Sequence, residues 1–277
     1  MAPLEFIVTI LTISVVAGFI GSLVGLGGGI IIVPVLTLLY GIDIRYAVGA
    51  SIVSVIATSS GAAAAYVREH LTNLRAAMLL ELGTTTGAIS GAFWAGILHS
   101  RRLFVIFGIV MGCSALAMLY RAKDRDQQVP PDHWANRLQL HGSYFDEALN
   151  RKIPYRITHT KLGLLLMYFA GMISGLLGIG SGALKVPAMD IAMRIPIKVS
   201  TATSNFMIGV TAAASAGVYF SRGDIDPVIA APVAIGVVLG ATIGSKFLSK
   251  ADNRLIRLLF VIVLLIIATQ MIWKGLQ

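Results

Sequence analysis

Gly25-Leu-Gly-Gly-Gly-Ile-Ile-Ile-Val-Pro34 recurs, 153 residues later, as Gly178-Ile-Gly-Ser-Gly-Ala-Leu-Lys-Val-Pro187. The same offset carries Arg45 onto Lys198, Ser51 onto Ser204, Tyr66 onto Tyr219, Asn73 onto Asp226 and Arg101 onto Arg254. It also carries Gly83, Gly87 and Gly91 onto Gly236, Gly240 and Gly244, a small-xxx-small spacing that lets helices approach closely. One register held through this many positions marks a duplicated unit.

Around each glycine turn the chain is apolar enough to dissolve in lipid. The 277 residues are 56% hydrophobic and 13% charged, with a mean hydropathy of +0.83. A spanning helix needs about 20 mainly apolar residues, and segments near 4–24, 46–67, 76–98, 103–120, 160–177, 199–220, 228–248 and 255–273 meet that need. Two runs, 30–40 and 183–193, are too short. A helix of their length reaches ~16 Å at 1.5 Å per residue, roughly half of a ~30 Å hydrocarbon core. The predicted fold is an all-α polytopic membrane protein with a first repeat over 1–120, a cytoplasmic connecting loop over 121–159 and a second repeat over 160–277. Each repeat combines long transmembrane helices with a glycine turn and a short or re-entrant helix.

The formal charge of +9 sits in loops between apolar segments, so orientation in the membrane accounts for it better than nucleic acid does. With the central loop in the cytoplasm, an inverted arrangement of the halves puts sixteen Lys and Arg inside and five outside. A parallel arrangement gives twelve and nine. The positive-inside rule therefore favours inverted repeats with both termini outside. No basic residue precedes the first segment and no small-residue cleavage pattern follows it, so the segment is expected to stay in the membrane.

The single cysteine, Cys113, lies in an apolar segment, and His70, His99, His133, His141 and His159 fall in loops without ligand spacing. Neither a metal centre nor a cofactor is expected, and no nucleophile–base pair suggests an enzyme. Gly-x-Gly-x-Gly lacks the Lys-Ser/Thr and the flanking strand of a nucleotide loop.

What the turns can do is hold an anion. Gly27, Gly28 and Gly29 expose the first N–H groups of the short helix beginning near Ile30, as Gly180, Ser181 and Gly182 do for the helix beginning near Ala183. Free N–H groups and the helix dipole favour negative charge, and half-helices meeting at the midplane of inverted repeats are a recurrent transporter plan. The alternative use of these glycines is close packing alone. Lys185 is an ionisable residue inside a short segment and costly there unless functional; its repeat counterpart is Ile32, and the alternative is snorkelling or pairing with Asp190. Ser51, Ser204 and Asn205, with Thr203, offer donors to oxyanion oxygens, with bonding to their own backbone or a neighbouring helix as the equal alternative for each, and Thr58, Ser59, Thr84, Thr85, Thr86 and Thr211 fit that alternative better still. Glu81 is the acidic residue most clearly inside a membrane segment, where proton coupling is one reading, but six residues after Arg75 it reads better as a partner in an interfacial salt bridge. The central loop reads as a connector, with Trp134 and Tyr144 at headgroup level.

The two glycine turns, each followed by proline at 34 and 187, resemble the TauE/SafE sulfite exporter family over essentially the whole chain. The resemblance implies an inner-membrane permease for sulfite or a sulfonate, discussed as an exporter, with the family motif on Gly25, Gly27, Gly28, Gly29 and Pro34 and again on Gly178, Gly180, Gly182 and Pro187. Ser181 and Lys185 depart from the common second motif. A small anionic substrate, membrane lipid, proton coupling and room for a homodimer complete the expectation. An importer or a channel-like facilitator would use the same site.

Overall fold

Glycine placement and helix polarity together decide how the chain folds. The structure is a computed structural model that describes residues 3–120, 132–146, 149–178, 180–248 and 252–276. Arg121, Lys123, Arg125, Pro130, Pro131, Ile179 and Lys250, which entered the motif and charge readings, lie outside the described residues.

The first half consists of α1 (Pro3–Val24), the short α2 (Gly29–Pro34), α3 (Ile44–Arg68), α4 (Leu74–Ile97) and α5 (Ser100–Tyr120). The second half repeats this as α7 (Thr160–Leu177), α8 (Gly182–Pro187), α9 (Ile197–Ser221), α10 (Pro227–Leu248) and α11 (Asn253–Leu276). From α2 to α5, each helix start recurs 153 residues on. Eight described helices are long, and five of them (α1, α3, α7, α10 and α11) are both long and apolar enough to cross a membrane. In α9 polarity replaces apolarity: Ser200, Thr201, Thr203, Ser204, Asn205, Thr211 and Ser215 are all buried. Such side chains are tolerated at membrane depth only where they face protein, which places α9 in the interior. Large apolar side chains such as Leu82, Phe93, Ile109, Ile262 and Ile266 are instead exposed, as a lipid-facing surface requires. The protein is an all-α polytopic membrane protein.

Packing follows the repeat. α1 lies along α10, and its counterpart α7 lies along α4, the counterpart of α10. The glycine ladders make this possible. A Cβ on Gly87 or Gly91 would overlap the carbonyl oxygens of Tyr168 and Met172 on α7, and one on Gly240 would overlap that of Val15 on α1. Counterparts also pair with each other. Arg45 and Val48 near the start of α3 share a cavity with Tyr219 and Arg222 near the end of α9, while Ser59 donates to the Asn205 carbonyl, so α3 and α9 run antiparallel. α5 and α11 do the same, since the Arg101 Nε donates to the Gly275 carbonyl and Gly108 abuts Ala268 and Ile272.

Each short helix changes character at its proline. Pro34 and Pro187 lack the N–H that continues an α-helix and crowd the preceding turn. Beyond them the chain widens into a π-turn over Val35–Leu39 and over Ala188–Ala192, closed in the second case by the Met193 N–H on the Ala188 carbonyl.

The central segment is more than the connector its sequence suggests. It folds into α6 (His133–Arg137) and an antiparallel hairpin of β1 (Gly142–Asp146) and β2 (Arg151–Tyr155). Asp132 accepts from the N–H groups of Trp134, Ala135 and Thr160, capping α6 and α7 together. Burial alone would raise its carboxyl, but those three donors hold it below the ordinary carboxylate value. Asn73 Nδ2 reaches the Leu140 carbonyl and the Tyr155 hydroxyl, and Arg75 reaches Gln139. Tyr144 is buried in this unit, contrary to the headgroup placement its sequence position suggests, because it alternates inward on β1. Trp134 remains about half exposed, with the Lys161 ammonium 5.4 Å from its ring centroid.

Candidate functional site

The two glycine turns meet in the interior. Gly25, Gly27, Gly178 and Gly180 all have positive φ, between 68° and 77°, which reverses the chain within a few residues at no Cβ penalty. A Cβ on Gly182 would overlap the Gly25 carbonyl oxygen and stand 2.7 Å from the Leu26 Cα, so backbone touches backbone there. Val55 of α3 and Ile208 of α9 wedge between the turns, since each approaches both Gly27 and Gly180.

Crossed hydrogen bonds close this contact. The Ser51 hydroxyl of the first half donates to the Gly178 carbonyl at 2.7 Å, and the Ser204 hydroxyl of the second half donates to the Gly25 carbonyl at 2.9 Å. Donors and acceptors are repeat counterparts, so each half clamps the turn of the other. Tyr66 and Tyr219, also counterparts, donate to the carbonyls of Ser22 and Gly175 just before the turns. Asn205 Nδ2 donates to the Ser22 carbonyl at 2.8 Å, an acceptor that fixes the orientation of its amide, and the amide oxygen is buried with no partner among the described residues. Gly28 N–H donates to the Thr58 hydroxyl. Among the described residues the N–H groups of Gly29 and Ile30 have no recorded acceptor, although both residues are buried. Buried N–H groups are rarely left so.

Of the ten residues singled out from the sequence, Gly27, Gly28, Gly29, Ser51, Gly180, Gly182, Ser204 and Asn205 are brought together at the two turns. Ser181 adopts a left-handed φ of 56°, and its hydroxyl turns back to the Gly180 carbonyl. Lys185 is fully buried and directed elsewhere. Its ammonium donates to the Thr211 hydroxyl at 2.6 Å and stands 3.7 Å from the Glu81 carboxylate. Thr211 and Thr85 in turn donate to the same carboxylate. Glu81 is therefore an interior partner of Lys185 and not the interfacial partner of Arg75. Asp190, the alternative partner for Lys185, is bound by Arg257 at 2.6 Å. Thr203 accepts from the Asn73 N–H at the start of α4. Thr58, read from the sequence as bonding its own backbone or a neighbouring helix, donates to the Ser54 carbonyl and also receives the Gly28 N–H of the turn. Its spacing of seven from Ser51 along α3 was the available signal.

Removing the crossed bonds one at a time tests whether they act as a pair. Each of Ser51→Ala and Ser204→Ala should cost about 1 kcal/mol, within the range for polar contacts between membrane helices, or roughly 2–4 °C in apparent Tm. The two losses should match. Unequal losses in thermal denaturation would show that the turns are not clamped reciprocally.

The site's glycine turns lie within a chain-wide match: the sequence profile described as sulfite exporter TauE/SafE matches residues 10–271. The chain belongs to this family. Among similar proteins, a probable membrane transporter protein of Bacillus subtilis (strain 168), YunE, is 29% identical over 97% of this chain and 98% of its own. A probable membrane transporter protein of Xylella fastidiosa (strain 9a5c) is 26% identical over 93% of this chain and 92% of its own. YdhB of Bacillus subtilis, likewise a probable membrane transporter protein, is 25% identical over 87% and 88%. No solved structure matches the chain. With its apolar helices, membership of the TauE/SafE family makes this protein a multi-pass membrane transporter.

Proposed function

We propose that this TauE/SafE protein is a secondary transporter that exports a small sulfur-containing anion, sulfite or a sulfonate, across the inner membrane. The anion is bound where the two glycine turns meet. The observation that carries this reading is the pair of buried N–H groups of Gly29 and Ile30, without an acceptor among the described residues, beside a turn clamped from the opposite half. Such groups are satisfied by an anion, and membership of a family described as sulfite exporters suggests the sulfur chemistry.

The repeats span residues 1–120 and 160–277, joined by 121–159, and stand inverted in the membrane with both termini outside and the hairpin in the cytoplasm. Antiparallel pairing of counterpart helices supports the inversion, and the positive-inside balance supports the orientation. Alternating access follows from rocking one half against the other. The crossed bonds of Ser51 and Ser204 break and reform in that motion, since each joins one half to the other. Lys185 and Glu81 form the charged pair beside the site, and the carboxylate is the group through which proton flow is coupled to the anion.

A thermal-shift titration of the purified protein in detergent with sulfite, sulfate, thiosulfate, sulfoacetate and chloride tests the substrate class. A ligand at 100 times its Kd stabilises the folded state by about 2.7 kcal/mol. Selective stabilisation by sulfite or sulfoacetate, reduced in Lys185→Ala, is the expected result. A response to chloride equal to that of the sulfur anions, or none to any of them, would remove the sulfur assignment.

A further inference from the structure

Arg45 and Lys198 are repeat counterparts, the second residues of α3 and α9, and because those helices run antiparallel they stand at opposite ends of the bundle. Their surroundings differ. Arg45 is exposed and borders a cavity of about 280 Å³ lined also by Val48, Leu176, Tyr219 and Arg222. At a share of about 30 Å³ per water molecule, this is room for several waters or for a small oxyanion with part of its hydration. Arg222 is committed to the Asp224 carboxylate at 2.9 Å, to the Ala92 carbonyl and to the face of the Tyr219 ring at 4.4 Å. No bond of the Arg45 guanidinium is recorded among the described residues. Through Val48 the cavity lining adjoins the second glycine turn, since Val48 is the side chain that a Cβ on Gly178 would strike.

At the other end Lys198 holds a carboxylate. Its ammonium is 2.8 Å from Asp146 Oδ1, and both side chains are 1% exposed. Asp146 ends β1 and also accepts from the Leu149 N–H and the Tyr144 hydroxyl. Burial alone would raise its carboxyl, but the Lys198 bond and charge with the two further donors hold it below the ordinary value, so it is an anion at neutral pH. Glu69 occupies the repeat position of Arg222, so the counterpart of the second cation of the Arg45 cavity is an acidic residue. To an ammonium, a carboxylate and a small sulfur oxyanion offer the same chemistry: a localised negative charge on paired oxygens.

We propose that Lys198 is the docking cation for the transported anion at the hairpin end, and that Asp146 is a tethered carboxylate that occupies this position until a free anion displaces it. The proposal rests on the anion-transport reading above. It makes the hairpin a plug whose tip imitates the cargo, and it explains why Arg45 faces a cavity while its counterpart is sealed. Release of Asp146 frees the hairpin from α9, so arrival of the anion and opening of this end are one event.

The test uses the full-length protein. In detergent at constant ionic strength, Asp146→Asn should be less stable than the wild type. Its apparent Tm should rise with sulfite, and with acetate as a free copy of the missing carboxylate, at concentrations about tenfold below those that act on the wild type. The double variant Asp146→Asn/Lys198→Met removes the buried ammonium as well and should recover stability while returning to the wild-type anion dependence. If Asp146→Asn cannot be purified, Asp146→Glu keeps the charge but misplaces it by one methylene, and should show a smaller effect of the same sign. In proteoliposomes, the half-saturating sulfite concentration at the hairpin face should fall about tenfold in Asp146→Asn, with that at the opposite face unchanged. Equal anion responses of Asp146→Asn and the double variant overturn the proposal, as does an unchanged half-saturation at the hairpin face, which would leave the pair a structural staple only. Rescue by acetate without any response to sulfite upholds Lys198 as the anion cation and removes instead the sulfur assignment.

Discussion

Gly182→Val is expected to abolish transport. The Cβ of any residue at 182 falls on the Gly25 carbonyl oxygen and close to the Leu26 Cα. These are backbone atoms, so no rotamer change relieves the overlap and the two turns must separate. Separation breaks the crossed bonds of Ser51 and Ser204 and displaces the N–H groups at the start of α2. The eight long helices keep their own packing, so the variant should be recovered from membranes as a monodisperse species with its helix content intact. Flux of sulfite or sulfoacetate in proteoliposomes should drop to the level of protein-free vesicles. Near-normal flux would show that the contact between the turns is not part of the path. Gly217→Val, at a helical position where a Cβ would meet nothing within 4 Å, controls for a bulky residue elsewhere in the bundle.

The second large effect is expected at Glu81. Removing its carboxylate by Glu81→Ala leaves the fully buried Lys185 ammonium, among the described residues, with the Thr211 hydroxyl as its remaining hydrogen-bond partner. Breaking a buried ion pair by deleting one member costs about 3–5 kcal/mol, a large part of a total stability of roughly 5–15 kcal/mol. Apparent Tm should fall on the order of 10 °C, and flux should be lost with it. Glu81→Ala/Lys185→Met removes both charges and should regain most of the stability, because an apolar replacement of a buried pair is often neutral. Flux should remain absent in the double variant if the pair carries the coupled proton. A double variant that is stable and transports normally would make Lys185 and Glu81 a packing element and move proton coupling elsewhere.

The glycine ladders show how far spacing reads into packing. Glycines four apart say that one helix face admits a close neighbour, and they do. Which neighbour is a matter of the whole bundle: Gly83, Gly87 and Gly91 receive α7, while Gly236, Gly240 and Gly244 receive α1. Both partners are the helices that lead into glycine turns, so the ladders set where the turns sit. Glu81 shows the opposite case. Its sequence neighbour Arg75 suggests a local pair, but Arg75 is engaged with Gln139, and Glu81 meets a lysine more than a hundred positions later. No local rule reaches that far, since the pairing depends on α4, α8 and α9 converging. Lys198 was legible as a loop cation and as the repeat counterpart of Arg45, and nothing local named its partner. Its burial against Asp146 depends on a hairpin of two five-residue strands, too short to show a firm alternation.

By itself the sequence determined the membrane class, the duplicated unit at a 153-residue offset, the eight long and two short helices, and eight of the residues that gather at the turns. These follow from hydropathy, periodicity and glycine, which act within a turn or two of helix and repeat with the gene segment. Only the tertiary structure decided that each half clamps the other's turn through Ser51 and Ser204, that Lys185 leaves the turns for Glu81, and that Asp146 seals Lys198. Those contacts join residues distant in the chain through single hydrogen bonds and charges, and their partners are chosen by how the helices cross once packed.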